Sequence, residues 1–225
     1  MDIVYPLKTE TGAADELRYS LRSLGNLPHD KVFVAGGFPG WTSGVLHIPA
    51  PKGRTKYLDS TANVKAACES PLVSDPFVLF NDDFFVLSPA EEVPTLNRGK
   101  VTAVLAAYRG GNNNYRSGMS QTLDRLAALG YPDPWSFELH LPLVVHKQMM
   151  LAALQAGINV PVWHKRTAYG CLAGLEGRTT SDVKIHDLTT VPTGTFVSTS
   201  DKSFRLGRAG REIRNMFNRR CLYEA

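Results

Sequence analysis

The 225-residue chain has no apolar run near the roughly 20 residues that cross a bilayer. Its opening, MDIVYPLKTE, carries a charge in second place and lacks the apolar centre of a signal peptide. Both absences lead us to expect a cytosolic protein with no integral membrane association. Cysteine is scarce. Cys68, Cys171 and Cys221 are odd in number and form no CxxC pair, which argues against a disulfide framework or a structural zinc site. Neither GxGxxG nor GxxxxGK[ST] occurs, so the glycine-rich break at Gly36-Gly37-Phe38-Pro39-Gly40 is no phosphate loop. There is no internal repeat and no low-complexity segment. A net charge of +4 does not by itself indicate nucleic acid, and 43% hydrophobic with 20% charged residues suits one globular domain over 1–225.

One stretch stands out from this plain background. Residues 76–87 read PFVLFNDDFFVL. An apolar run bounded by a polar break predicts a buried strand, with Asp82 and Asp83 at its carboxyl end. Ionised carboxylates there cost on the order of several kcal/mol unless something answers them. A hard divalent metal, a pair of structural hydrogen bonds or a solvated turn would each do so. Ligands of open α/β sheets gather at the carboxyl ends of strands, which favours the first.

The remaining pattern predicts a strand at 3–5 closed by Pro6, a polar loop at 8–12, and a helix from Ala13 ended by Gly25. Asp15 and Glu16 lie in its first turn, and Arg18 and Arg22 share one flank. Strands follow at 31–35 and 45–49, a helix at 61–70, and another strand at 101–108. The glycine-rich segment 109–116 reads as a mobile active-site loop or an ordinary surface loop. Helices are expected at 121–129 and from Pro142 to Gly157, and a strand at 158–163. Glu138 and His140, two apart on extended chain, suit a base held by a carboxylate, a pair of metal ligands, or a structural histidine. His186 ends a short alternating stretch. Asp201 precedes an amphipathic closing helix at 202–220, where seven Lys or Arg face one acid, Glu212. That helix suits nucleic acid, an anionic membrane surface, nucleotide phosphates, or simple solvation. The order of elements fits a mostly parallel sheet covered by helices.

Residues 15–23, DELRYSLRS, closely resemble the ELRYSLRS block of the Stealth family, and 81–85 match its NDDFF block. Residues 2–5, DIVY, resemble the start of its first conserved region. Residues 138–142, ELHLP, are similar to its later histidine-containing region, and the tail resembles short phage-type members. The match is good over 1–87. One departure follows Tyr5, where the family's W-V-D-G-x-D is replaced by Pro6-Leu7-Lys8-Thr9-Glu10. Stealth proteins include hexose-1-phosphate transferases of bacterial capsules and the eukaryotic N-acetylglucosamine-1-phosphotransferase. The resemblance implies a single α/β domain with a GT-A-like, Rossmann-related mixed sheet flanked by helices, and a sugar-nucleotide donor.

With that donor, Asp82 and Asp83 are expected to hold Mn²⁺ or Mg²⁺ against the diphosphate, with His186 as a further ligand. Lys8 and Arg18 would meet phosphate charge, and Asp201 a sugar. Asp83 would stand at the reaction centre, and His140, oriented by Glu138, would be the base. The expected activity is glycosyl transfer from a nucleotide sugar, a UDP-sugar first, to a glycan, a protein or a modified DNA base. The altered first loop makes the alternative, hexose-1-phosphate transfer, the second expectation. A non-catalytic DNA- or partner-binding protein on the same fold is the third. For a phage-borne member the compartment would be the host cytoplasm.

Overall fold

A computed structural model describes residues 1–8, 14–109 and 112–225. The chain opens with β1 (Asp2–Leu7), α1 (Asp15–Ser23), β2 (Val32–Gly36), β3 (Leu46–Ile48) and α2 (Lys56–Glu69). Then come β4 (Phe77–Leu79), β5 (Phe84–Val86), β6 (Leu96–Asn97), α3 (Val101–Ala107), α4 (Asn113–Ala128), β7 (Leu143–Val145) and α5 (Lys147–Ala156). The last third holds α6 (Lys165–Leu172), β8 (Arg178–Thr179), β9 (Lys184–Ile185), β10 (Phe196–Thr199), α7 (Asp201–Leu206) and α8 (Arg208–Met216).

Five strands form the central sheet in the order β3-β2-β1-β4-β7. All pairs are parallel except β4 with β7. Alternation along β1 explains why it is central. Val4 points to one face and joins Phe33, Phe77 and Leu79 against α2, α5 and the segment around Trp163 and Tyr169. Ile3, Tyr5 and Leu7 point to the other face and join Val34, Val78 and Phe80 against Leu17 and Leu21 of α1. A strand covered on both sides needs a continuous apolar run, and residues 3–7 supply one after Asp2. A smaller sheet, β5-β10-β9, packs beside α1 and carries the chain onward from the aspartate pair.

The sheet order reverses between β1 and β4: β2 and β3 lie on one side of β1, β4 on the other. β1 pairs with β4 only from Asp2 to Val4, while its pairing with β2 runs on to Leu7. Beyond Val4 the two central strands part, and a crevice opens there. Pro6, which cannot donate to a ladder, falls past the last β1–β4 pair. It therefore does not end the strand, contrary to the sequence reading.

Other elements also differ from expectation. Residues 101–107 form a helix, not a strand: only Val101 is buried, so β-branched side chains find no sheet to pack on and three alanines favour the helix. Leu143–Val145 is an edge strand antiparallel to β4, and the helix begins after it, at Lys147. Residues 158–163 make a turn: Val160 N–H bonds Gly157 and the Trp163 indole donates to Ala153 of α5. The segment 109–116 enters α4 at Asn113, with Asn112 as its cap. The predicted closing helix is two helices broken at Gly207. Gly210 permits their contact, since a Cβ there would sit 1.7 Å from the Phe204 carbonyl oxygen. The predicted start of α1 at Ala13, most of the loop 8–12, and Gly110-Gly111 lie outside the described residues.

Candidate active site

A cavity of about 810 Å³ opens at the crevice between β1 and β4. The carboxyl ends of these strands supply its floor, through Pro6 and Lys8 on one side and Asn81, Asp82 and Asp83 on the other. This is where an open α/β sheet binds ligands, because the connections leave the strand ends in opposite directions. Two helices form walls. Ala14, in left-handed backbone with φ 50°, turns the chain into α1 and brings Asp15 and Glu16 to the rim. The first two turns of α2 present Lys56, Tyr57, Asp59, Ser60 and Asn63. Lys165, the first residue of α6, and Lys184 of β9 also line it. Asp201, Phe204 and Arg205 of α7, with Thr199 before them, complete the lining.

The carboxylates crowd one another. Burial first, then the charge of Asp83, pushes the Asp82 carboxyl up to about 6. Burial, with Asp83 and Asp82 after it, pushes Glu16 up to about 7, although the Thr199 hydroxyl donates to its Oε1 at 3.3 Å. Asp83 is answered from within the chain: Lys184 Nζ donates to its Oδ2 at 2.6 Å, and the Ser198 hydroxyl at 3.2 Å. Asn63 is pinned by donating its amide to the Leu7 carbonyl at the end of β1, and its Oδ1 is buried with no partner among the described residues. Gly36 makes that approach possible. Its φ is +99°, and a Cβ would lie 2.4 Å from the Leu7 oxygen and 2.5 Å from the Asn63 amide.

The structure thus brings Lys8, Asp82, Asp83 and Asp201 together and leaves four other candidates outside. Arg18 turns away to Trp41 and to Glu224, whose Oε2 accepts from its Nη1 at 2.6 Å. Glu16 and Arg18 are two residues apart, about 200° around a helix, so they cannot face the same way. His186 is exposed beyond β9 and lines no part of the cavity. Glu138 does not orient His140: it accepts from the N–H groups of Arg166 and Thr167, at 3.0 Å each, and so caps α6. His140 pairs through Nδ1 with Asp182 at 2.8 Å. Burial alone would raise the Asp182 carboxyl, but the side-chain and backbone bonds from His140 and the charges of His140 and Arg98 together hold it at about 2. Neither Glu138 nor His140 lines the cavity, although Arg166 is within electrostatic reach of both Asp83 and Asp182.

The sequence reading missed Glu16, Lys56, Tyr57, Asn63, Lys165 and Lys184 as cavity residues. Glu16 stood in the DELRYSLRS block, where the arginine was chosen. Lys165 and Lys184 carried no signal, since they reach the cavity from elements distant in sequence.

A metal fits this donor set in one way. Among the described residues, no three His, Cys, Asp or Glu side chains are grouped to hold an ion by themselves. Mg²⁺ characteristically takes one or two carboxylates and completes its shell with waters and substrate phosphates. The raised Asp82 and Glu16 carboxyls mark a place short of positive charge. Asp82 and Asp83 therefore suit a hard divalent ion whose remaining ligands come from a substrate.

The protein is thus a mixed α/β protein with a central sheet flanked by helices and a two-signed cavity at its switch point. No protein-family model matches the chain, and no curated protein matches it in sequence. Among solved structures it is similar to the galactosyltransferase LgtC in complex with donor and acceptor sugar analogs. Identity is 10% and the TM-score 0.49, over 97% of this chain and 95% of that one. Such a likeness lends no residue role to this chain, and the Stealth resemblance stands on its motifs alone.

Proposed function

We propose that the chain is a GT-A-like glycosyltransferase whose nucleotide-sugar donor, a UDP-sugar first, enters the switch-point cavity. One observation carries the reading. Lys8, Lys56, Lys165, Lys184 and Arg205 share a single cavity with the Asp82–Asp83 pair, Glu16 and Asp201. A diphosphate needs the first set, and the cation that accompanies it needs the second. Asp82 and Asp83 would hold Mg²⁺ or Mn²⁺ together with donor oxygens. When bound, the ion offsets the charge that develops on the leaving nucleoside diphosphate.

The chain's own residues do the rest. Lys184 and Ser198 fix the Asp83 carboxylate in one orientation. Lys8 and Arg205 flank the phosphates from the floor and the rim. Asp201 accepts from sugar hydroxyls. Glu16, pushed up to about 7, takes the acceptor hydroxyl's proton in place of His140, which does not line the cavity.

A second reading concerns the acceptor. Arg205 lines the cavity, and Lys202, Arg208 and Arg211 are exposed beside it, which favours a polyanion such as DNA. A steep loss of DNA affinity between low and moderate salt supports that acceptor; a flat response removes it.

Asp82→Asn tests the main reading. Turnover of the donor should fall by about 100-fold or more, and the response to metal should vanish. Undiminished, metal-dependent turnover in the variant would contradict it.

A further inference from the structure

Among the cations of the cavity, Lys165 is half-buried and has no partner among the described residues. Lys184 is paired with Asp83 at 2.6 Å, Arg205 lies 4.0 Å from Asp201, and Lys56 rests over the Tyr57 ring. Lys165 forms no hydrogen bond or ion pair among the described residues, and its half-buried side chain lines the cavity next to Arg166 in the chain. Glu138 is the acid that acts on it, at longer range, and Glu138 is spent on the N–H groups of Arg166 and Thr167. Burial pushes the ammonium's pKa down, and neighbouring Arg166 adds to that. A partly desolvated cation that lines a cavity without a partner is a natural contact for an anionic ligand. The backbone of the same helix end is no substitute, because Glu138 already occupies two of its N–H groups.

We propose that Lys165 is the ammonium that receives the diphosphate of the ligand in the cavity it shares with Asp82 and Asp83, and that Glu138 positions it by capping α6. This rests on the nucleotide-sugar reading and deepens it: phosphate charge is answered by the ion at Asp82 and Asp83 and by Lys165. The class of ligand is a nucleoside diphosphate or its sugar ester. Lys165 is then a catalytic residue, since it touches the leaving group.

The test uses the full chain, UDP, GDP, ADP and inorganic pyrophosphate with Mg²⁺, and calorimetric titration alongside thermal melting. Lys165→Met should weaken binding of the preferred diphosphate by about 10- to 100-fold, the range for one charge-assisted hydrogen bond. Without ligand, the same variant should melt no lower than the wild type, because a half-buried charge with no partner among the described residues has been removed. Lys165→Arg should retain most of the affinity. Wild-type binding that survives Lys165→Met unchanged overturns this inference alone. A variant that melts well below the wild type shows a structural role and also overturns it. Failure of the wild type to bind any of the four probes overturns the donor reading itself.

Discussion

At the scale of single residues, the cavity is a place where stability has been given up. Asp82 is ionised at neutral pH against burial and against Asp83, so the unliganded fold bears that cost. Asp82→Asn should therefore raise the melting temperature of the ligand-free protein at pH 7.5, by roughly 2–4 °C for each kcal/mol relieved. The sign follows from the raised pKa. Below about 6 the wild-type carboxyl is protonated, so the gain should shrink at pH 5. A variant less stable than the wild type at pH 7.5 would mean that Asp82 serves the fold. The aspartate pair was legible in the sequence because two carboxylates interrupt an apolar run. Lys165 was not: its meaning lies in the partners it lacks, and a missing partner leaves no trace in sequence.

At the scale of elements, α7 and α8 are the part of the fold most tied to the cavity. α7 supplies Asp201, Phe204 and Arg205, and it is held by the Phe204 ring stacked on Phe85 of β5, centroids 5.6 Å apart and 5° from parallel. α8 holds α7 in turn. Arg214 donates to the Phe204 carbonyl, and Gly210 allows the helices to touch. Gly210→Val should cost about 1–3 kcal/mol, and donor affinity should fall with it because α7 shifts. Melting curves and diphosphate titrations on that variant check both; affinity kept at wild-type level would separate α7 from the site. The amphipathic pattern of 202–220 was visible in the sequence, but its break was not. Gly207 and Gly210 look like tolerable helical glycines until a second helix must pass close by. Residues 101–107 and 143–145 misled in opposite directions for one reason. Short apolar segments become strand or helix according to whether a sheet edge is there to receive them.

At the scale of the whole molecule, residues 221–225 tie distant parts together. Ala225 N–H bonds Trp41, Ser43 N–H bonds Tyr223, and Glu224 accepts from Arg18 and Arg22 across more than half the chain. Burial alone would raise the Glu224 carboxyl, but the bonds from Arg22 and Arg18 hold it at about 2. Its stabilisation is therefore complete above the ordinary carboxyl value near 4.5 and drains as pH falls toward 2. Glu224→Gln should cost about 3 kcal/mol at pH 7, the low end for a broken buried pair because Arg18 stays partly exposed. Urea midpoints at pH 7 and pH 3 check this, since the gap between wild type and variant should narrow in acid. This arrangement explains why the DELRYSLRS block misassigned a role. One helix serves two partners, with Glu16 turned to the cavity and Arg18 and Arg22 turned to the strap. The mostly parallel character of the sheet, in contrast, was readable, because strands alternating with helices favour parallel pairing; the strand order was not.

Activation of a nucleotide sugar in the switch-point cavity is the step on which the proposed function depends. It is tested most directly by incubating the protein with a panel of sugar nucleotides, with Mg²⁺, Mn²⁺ or EDTA, and identifying the released nucleotide by mass spectrometry. Slow, metal-dependent release of a nucleoside diphosphate from one donor, lost in Asp82→Asn, is the expected result. Release of the monophosphate would replace glycosyl transfer with sugar-phosphate transfer. No binding and no release from any donor would contradict the account.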